Sequence, residues 1–263
     1  MDDWRTYDDV AETYERVHAA HLLDVARDLV AQTGIGAGDR VLDVGTGTGV
    51  GAQAATEAGA AVVGIDESTG MLQVARRERP TLAVATAEVI DLPFRAGVFD
   101  AALGTFVLAH FTKYDTALAD IKRVLRTGGR IALSSWHDGV DAYQEAWAEL
   151  IEGVVPREML APAYAEAAPW HDRFRSRTAV EEALIEAGFR HVQTEIVKYR
   201  WVYTLDDYID GLGVWATGRF AREMLGDAGW GTFRQHARTV FAERFPDPLN
   251  DFREVILATA RKV

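Results

Sequence analysis

Two acidic side chains and a run of alternating glycines stand at positions that could hold a nucleoside. Gly45 and Gly47 follow a short apolar run rich in β-formers. Glycines let the backbone turn sharply and bring its N–H groups close to a ligand. Asp66 ends the next apolar run, where a carboxylate can accept both hydroxyls of a ribose, and Glu88 follows the third, where it can accept an adenine amino group. These residues predict a site for a nucleoside-bearing cofactor.

The glycine run alone fits two cofactors. Residues 47–52 also match the G-x-G-x-x-A form of a dinucleotide fingerprint, with Asp66 as its ribose acid. Glu88 and the Gly128-Gly129 pair before the fifth strand speak against that interpretation. An NAD-dependent oxidoreductase therefore stands as an alternative hypothesis.

Strand-like runs alternate with helical patterns from residue 40 to residue 134, which predicts an α/β fold with a doubly wound parallel sheet. Right-handed crossovers place the carboxyl ends of such strands on one edge. The predicted strands are 41–44, 61–65, 81–86, 99–103, 130–134, 192–202 and 255–259. The predicted helices are 8–32, 50–58, 69–78, 112–126, 178–188 and most of 205–245.

Two insertions leave the carboxyl edge of this sheet, at residues 137–177 and 203–250. Ligands of such sheets bind outside the carboxyl ends, so we expect both insertions to cover the cofactor. Six tryptophans lie in this second half, either as core residues or as the lining of a pocket for a partly apolar or aromatic molecule. The predicted division is an N-terminal helical lid (1–36), a Rossmann-like cofactor domain (37–136, 178–202 and 251–263) and a helical substrate cap (137–177 and 203–250).

Composition limits the partners. The net charge of −12 argues against binding to nucleic acid, and no apolar run approaches the roughly 20 residues that span a bilayer. The absence of cysteine excludes disulfides and thiolate zinc sites. His18 and His21 have a possible ligand spacing but no third ligand nearby, so no metal site is predicted. We expect a cytoplasmic protein that acts on a small molecule.

Five segments, taken together and in order, resemble the class I S-adenosylmethionine-dependent methyltransferases. The likeness is greatest to the small-molecule branch that includes ubiquinone- and menaquinone-biosynthesis enzymes, the methyltransferase type 11 group. The resemblance implies a mostly parallel, seven-stranded Rossmann-like sheet whose last strand is antiparallel. It also implies S-adenosyl-L-methionine as cofactor. The matching segments are 41–49, 64–72, 88–94, 99–100 and 123–130.

The activity implied is transfer of a methyl group from S-adenosylmethionine to an O, N or C atom of a small acceptor by in-line displacement. Leu103-Gly104-Thr105-Phe106 differs from the Asn/Asp-Pro-Pro-aromatic signature of enzymes that methylate base amines, which favours a small molecule over DNA or RNA. A protein that binds the cofactor without transferring methyl, such as a cyclase, is a third hypothesis.

The same resemblance implies a role for each matching position. Gly45, Thr46 and Gly47 face the methionine part, Asp66 takes the ribose, and Thr105 with Phe106 lies by the methionine ammonium and the methyl group. The residues expected around the adenine are Glu67, Met71, Glu88 and Val89, and Tyr14 is expected in the lid.

His110 is the predicted catalytic residue. It follows the fourth strand in the segment that borders the transferred methyl group in similar enzymes, and histidine can remove a proton near neutral pH. The alternative is a histidine with structural hydrogen bonds only. His137 and His171 are weaker candidates.

Overall fold

A single seven-stranded sheet forms the centre of the computed structural model, which describes residues 5–139 and 141–263. Residues 1–4 of the predicted lid and Val140 of the predicted cap lie outside the described residues. The strand order is β3-β2-β1-β4-β5-β7-β6. The strands are β1 (Arg40–Val44), β2 (Ala61–Asp66), β3 (Ala83–Thr86), β4 (Phe99–Thr105), β5 (Leu125–Trp136), β6 (Arg190–Tyr203) and β7 (Leu249–Arg261).

β7 runs antiparallel to both of its neighbours, whereas β1 to β5 pair in parallel. The predicted fold class, a mostly parallel doubly wound sheet with an antiparallel last strand, is confirmed. Side chains alternate between the two faces of a strand, and each face carries its own core. Val41 belongs to one hydrophobic cluster and its neighbour Leu42 to the other.

Helices pack against both faces of the sheet. A 3₁₀ turn at Asp8–Val10 precedes the first of them. The helices are α1 (Ala11–Val17), α2 (Ala19–Thr33), α3 (Val50–Glu57), α4 (Thr69–Glu78), α5 (Tyr114–Val124), α6 (Ala142–Glu152), α7 (Arg157–Ala167), α8 (His171–Phe174), α9 (Arg177–Glu186), α10 (Leu205–Leu212) and α11 (Ala216–Arg244). None of the helices in the described part of the chain has the length and apolarity needed to cross a membrane.

The predicted single helix 8–32 is wrong, because the chain breaks at His18 between α1 and α2. The break has a packing reason. α2 lies along α3 and the sheet, whereas α1 turns away to contact α4 on one side and α10 on the other. The apolar periodicity of residues 8–32 continues through this break and therefore does not reveal it.

The last two strands are longer than predicted. Leu249 to Glu254 of β7 pair with Lys198 to Tyr203 of β6, beyond the level at which Trp136 ends β5. This two-stranded extension (residues 198–203 and 249–254) stands above the carboxyl edge of the sheet. Residues 249–250 of its β7 half fall in the predicted cap, and residues 251–254 fall in the predicted cofactor domain but outside the predicted strand 255–259, because charged residues interrupt the apolar alternation there.

Candidate active site

The loop after β1 combines a tightly packed glycine with one that faces open space. Both Gly45 and Gly47 have positive φ, +63° and +54°, which side-chain-bearing residues rarely adopt. A Cβ at Gly45 would lie 2.3 Å from Val107 Cγ2, whereas one at Gly47 would meet nothing within 4 Å. Gly45 thus serves close packing within the protein, and Gly47 leaves room for a ligand against the backbone.

Asp43, near the end of β1, stabilises this loop through a hydrogen bond with Thr46. Its side chain is fully buried, and Thr46 Oγ1 donates a hydrogen bond of 2.7 Å to Asp43 Oδ2. Burial raises the pKa of Asp43 to about 7, against the hydrogen bonds from Thr46 and the backbone of Ala52, which lower it. The Thr46 hydroxyl is therefore engaged with the protein, and the loop is held by its own side chains.

Asp66 joins the glycine loop to the start of α4. The Gly47 N–H donates to Asp66 Oδ2 at 2.8 Å, and the Ser68 N–H donates to Asp66 Oδ1 at 2.9 Å. Burial raises the pKa of Asp66, whereas these backbone bonds act to lower it. The backbone of Glu67 acts on Asp66 in the same direction. A carboxylate has about four acceptor sites, so these backbone groups leave acceptor capacity for a ligand hydroxyl.

The positions expected around an adenine divide into exposed acids and buried apolar residues. Glu67 and Glu88 are largely exposed. Partial burial of its carboxyl group raises the pKa of Glu67, and the nearby negative charge of Glu88 raises it too. Val89 is buried in the core, which leaves its backbone as the group that can face a ligand. Met71 is buried beneath Tyr14 and the rest of the N-terminal segment.

The N-terminal segment lies over the end of β2. The rings of Tyr7 and Tyr14 meet edge to face at 6.1 Å. Burial, then the charges of Tyr7 and Asp66, raise the pKa of Tyr14, so its hydroxyl lies close to the Asp66 carboxyl. Asp8 Oδ1 accepts hydrogen bonds of 2.7 Å from Ser68 Oγ and from the N–H of Gly70.

Ion pairs join α1 to α10 on one side and to Arg79, which contacts the glycine loop, on the other. Towards the glycine loop, Glu15 pairs with Arg79 at 3.0 Å, and Arg79 Nη1 donates to the carbonyl of Thr48 at 2.9 Å. Towards the cap, Arg16 Nη2 donates to Asp210 Oδ2 at 2.6 Å. α1 therefore bridges the loop and the cap helix α10.

Phe106 adopts a strained backbone conformation at the end of β4. Its φ is +56°, which costs a residue with a side chain about 1–3 kcal/mol. The Phe106 N–H donates to both the carbonyl and the hydroxyl of Ser134, at 3.2 and 3.1 Å, and its ring stacks on Trp136 at 4.1 Å. Thr105 lies beside it as the last residue of β4, in register with Ser134.

His110 is held as a neutral imidazole with one nitrogen available. Nδ1 lies 3.0 Å from the carbonyl oxygen of Ala167, and a carbonyl only accepts, so Nδ1 carries the proton and Nε2 the lone pair. Burial lowers the pKa of His110, assisted by the positive charge of Arg219. The ring of Tyr7 packs edge to face on His110 at 6.0 Å. His110 can therefore accept a proton at Nε2.

A cavity of about 790 Å³ opens beside His110 and Phe106. It also receives His137, which pairs with Glu254 at 3.1 Å, and His171, whose pKa burial lowers to about 4. The cavity thus brings all three candidate histidines together, whereas the glycine loop, Asp66 and Glu88 lie outside its lining. Its aromatic lining includes Trp136, Trp147, Trp201, Tyr203, Tyr208 and Trp215.

Sequence reasoning missed the charged lining of this cavity. Asp141, Asp251 and Arg253 all border it, on the start of α6 and on β7. The available signal was the two-residue period of β7, which puts Asp251 and Arg253 on the face of Val255. Among residues 5–139 and 141–263, no group of three or more His, Asp or Glu side chains is arranged to hold a metal ion.

Known proteins match both the sequence and the fold. Residues 42–133 match the family model described as "Methyltransferase domain". A demethylmenaquinone methyltransferase of Clavibacter sepedonicus is 30% identical over 71% of this chain and 82% of its own length. One of Renibacterium salmoninarum is 31% identical over 57% of this chain and 65% of its own length, a little under two thirds of that relative. Phosphoethanolamine N-methyltransferase 2 of Haemonchus contortus has the same fold, with a TM-score of 0.59 at 19% identity over 100% of this chain and 60% of its own.

The fold, with its glycine loop, the buried Asp66 beside it and an aromatic cavity, is thus accompanied by direct sequence similarity. The chain belongs to the class I S-adenosylmethionine-dependent methyltransferases. The predicted family and its cofactor are confirmed, and the family favours the methyltransferase hypothesis over an NAD-dependent oxidoreductase.

Proposed function

We propose that this protein transfers the methyl group of S-adenosylmethionine to a partly apolar or aromatic small molecule bound in the cavity. The observation that carries this proposal is the position of the cavity, which begins at Phe106 and His110 and is lined by tryptophan and tyrosine rings. Aromatic lining with a few polar groups is typical of sites for small organic ligands. The relatives named for demethylmenaquinone make a quinone-like ring one acceptor of this kind.

Features of the glycine-loop side support the proposed binding of this cofactor. Open space over Gly47 can take the methionine part against the backbone, and the unused acceptor sites of Asp66 can take the ribose hydroxyls. Glu88, two residues after β3, would bind the adenine amino group, with Met71 and the backbone of Val89 beside the ring. When bound, S-adenosylmethionine supplies an electrophilic methyl group on a positively charged sulfur.

The protein then has to align the acceptor and exclude water, which are the main contributions to a single in-line displacement. Tyr7 and Tyr14 of the lid cover the donor side, and the stacked pair of Phe106 and Trp136 bounds the acceptor side. His110 Nε2 takes the proton from an acceptor hydroxyl or amine, and the bond from Nδ1 to Ala167 holds the ring in the required tautomer.

The test has two stages. Calorimetry with S-adenosylmethionine, S-adenosylhomocysteine and NAD examines the donor side, and we expect binding of the first two only. Metabolite extracts are then incubated with the protein and S-adenosylmethionine carrying a deuterated methyl group, and mass spectrometry seeks products that have gained the label. Cofactor binding with no labelled product from any extract contradicts methyl transfer and favours a non-transferring, cyclase-like role.

A further inference from the structure

Two carboxyl groups at the cap end of the cavity have buried oxygens without a hydrogen-bond donor. Asp251 of β7 is only 2% exposed, and its Oδ2 accepts a bond of 2.8 Å from Arg253 Nε. Asp141 caps α6, and its Oδ1 accepts the N–H of Gln144 at 2.8 Å. The other two oxygens, Asp251 Oδ1 and Asp141 Oδ2, receive no bond from any donor in the described part of the chain. Buried acceptors of this kind normally have a partner.

The local charge is negative. The Asp141 side chain lies within hydrogen-bonding reach of Asp251, so the two carboxyl groups share a proton when one of them is protonated, and Arg253 forms an ion pair with Asp251. The pKa of Asp251 is raised to about 6: burial raises it most, Asp141 adds to the rise, and Arg253 opposes both. Above pH 7 the Asp251 carboxyl is therefore mainly ionised, and one positive charge faces two negative ones. Arg253 also donates to the hydroxyl of Tyr208 at 3.4 Å, so it is held within the protein.

Aromatic rings line the same part of the cavity. Tyr203 and Tyr208 meet edge to face at 5.5 Å, and Trp201 lies on β6 in register with Asp251 on β7. The faces of such rings attract organic cations, the more so where water is excluded. Carboxylates and aromatic faces together are the chemistry that recognises a protonated amine.

This site lies away from the reacting end of the cavity. Asp251 precedes Val255 by four positions on β7, and Val255 pairs with Trp136, which stacks on Phe106. At about 3.3 Å per residue, the acid stands roughly 13 Å along the strand from the level of Trp136. An amine bound there is an anchor, and the atom that receives the methyl group lies elsewhere on the acceptor.

We propose that Asp141 and Asp251 bind a protonated amine carried by the acceptor molecule. An ammonium group has three donors and can supply the bond that each unpaired oxygen lacks. The identification of this ligand as the methyl acceptor rests on the proposed function, whereas the preference for a cation does not.

The probe is 4-phenylbutylamine, an ammonium at pH 7.5, and its neutral counterpart is 4-phenylbutan-1-ol. Calorimetry measures both against the full-length protein, with and without S-adenosylhomocysteine. We expect the amine to bind at least tenfold tighter than the alcohol, and Asp251→Asn or Asp141→Asn to reduce that preference to threefold or less. Asn is also a good helix cap, so Asp141→Asn removes the charge while keeping the start of α6.

The matched control is Asp138→Asn, because Asp138 also borders the cavity but is exposed and pairs with Arg175 at 2.9 Å. It should leave the preference unchanged. Equal binding of amine and alcohol by the wild-type protein, or a preference that persists in folded Asp141→Asn protein, overturns the proposal and assigns the pair a shared proton instead. If Asp251→Asn does not fold, the ratio of amine to alcohol affinity in the wild-type protein and in Asp141→Asn tests the proposal. Failure of the cofactor to bind refutes methyl transfer but leaves this ratio measurable.

Discussion

We call the region around residues 45–49 and Asp66 the donor half of the molecule and the region around the aromatic cavity the cap half. The donor half forms its site mainly from backbone groups, and the cap half forms its site mainly from side chains. Around the glycine loop, the proposed site is formed mainly by the backbone: Gly47 offers an open surface, and the N–H groups of Gly47 and Ser68 fix Asp66. Around the cavity, side chains do it, through stacked rings such as Phe106 on Trp136 and through buried charges such as Asp251.

This difference implies a division of effects. Backbone geometry at the loop is constrained by close contacts, as at Gly45 against Val107, so few sequences can form it. A cavity lined by side chains can change its ligand while the sheet beneath stays the same. Changes in the donor half should therefore alter cofactor affinity, and changes in the cap half should alter turnover, acceptor choice or stability.

The largest expected effect is on turnover. His110→Ala should lower kcat by about 100-fold or more with the acceptor found by the extract screen, because a positioned base contributes on the order of 10²–10⁴-fold. The dissociation constant of S-adenosylmethionine should stay within about twofold. Steady-state kinetics and calorimetry measure the two quantities separately.

The control for this prediction is His137→Ala, since His137 borders the same cavity but pairs with Glu254 through Nδ1. It should retain most of the turnover. Unaltered turnover in His110→Ala would remove His110 as the base and leave it a structural residue.

The donor half was far easier to predict from sequence than the cap half, for a physical reason. β1, β2 and α4 follow from local apolar runs, and their junctions carry glycine and acid positions whose conformation is set by neighbouring residues in the chain. α4 was predicted with the bounds that it has, Thr69–Glu78. Helices in the Trp-rich segments could be expected, but not their packing.

The features missed are those set by contacts between distant segments. His18 breaks the N-terminal helix because α1 packs against α10, far along the chain. Asp251 and Arg253 reach the cavity only because β7 continues along β6 beyond the edge of the sheet. The sequence shows these charged residues but not the strand register that buries them. Their position in the cavity could therefore not be predicted.

A second prediction concerns stability, and it separates the halves by the sign of their response to acid. His18 is buried in the cap contact, where its Nε2 lies 3.2 Å from the carbonyl of Gly211. Burial lowers the pKa of His18 from 6.5 to about 4. His18 in the unfolded chain therefore binds a proton below pH 6.5, whereas in the folded protein it stays neutral down to about pH 4. The contribution of His18 to the free energy of unfolding falls as the pH decreases through that range.

The expected loss from this histidine is about 3 kcal/mol over the whole range and about 2 kcal/mol by pH 5. Asp43 in the donor half acts in the opposite sense, because its pKa is raised to about 7 and the folded state gains from its protonation. Urea unfolding at pH 7.5 and 5.0 should therefore compare the wild-type protein with His18→Gln. Asp43 is present in both proteins, so its effect on stability cancels in the difference between them. The exposed His236→Gln is the control. An equal pH response in wild type and His18→Gln contradicts the assignment.

The smallest of the three effects tests the donor half. Asp66→Ala should weaken S-adenosylmethionine binding by roughly 1.5–3 kcal/mol, because charge-assisted hydrogen bonds to the ribose are lost. Asp100→Ala is a matched control: Asp100 lies near the amino end of β4, on the opposite edge of the sheet, and holds the Arg40 N–H at 2.8 Å. That change should cost stability and leave the dissociation constant unaltered. If both substitutions weaken binding equally, the effect arises from general loosening of the sheet. If only Asp66→Ala does, the donor site lies at the carboxyl edge of the sheet.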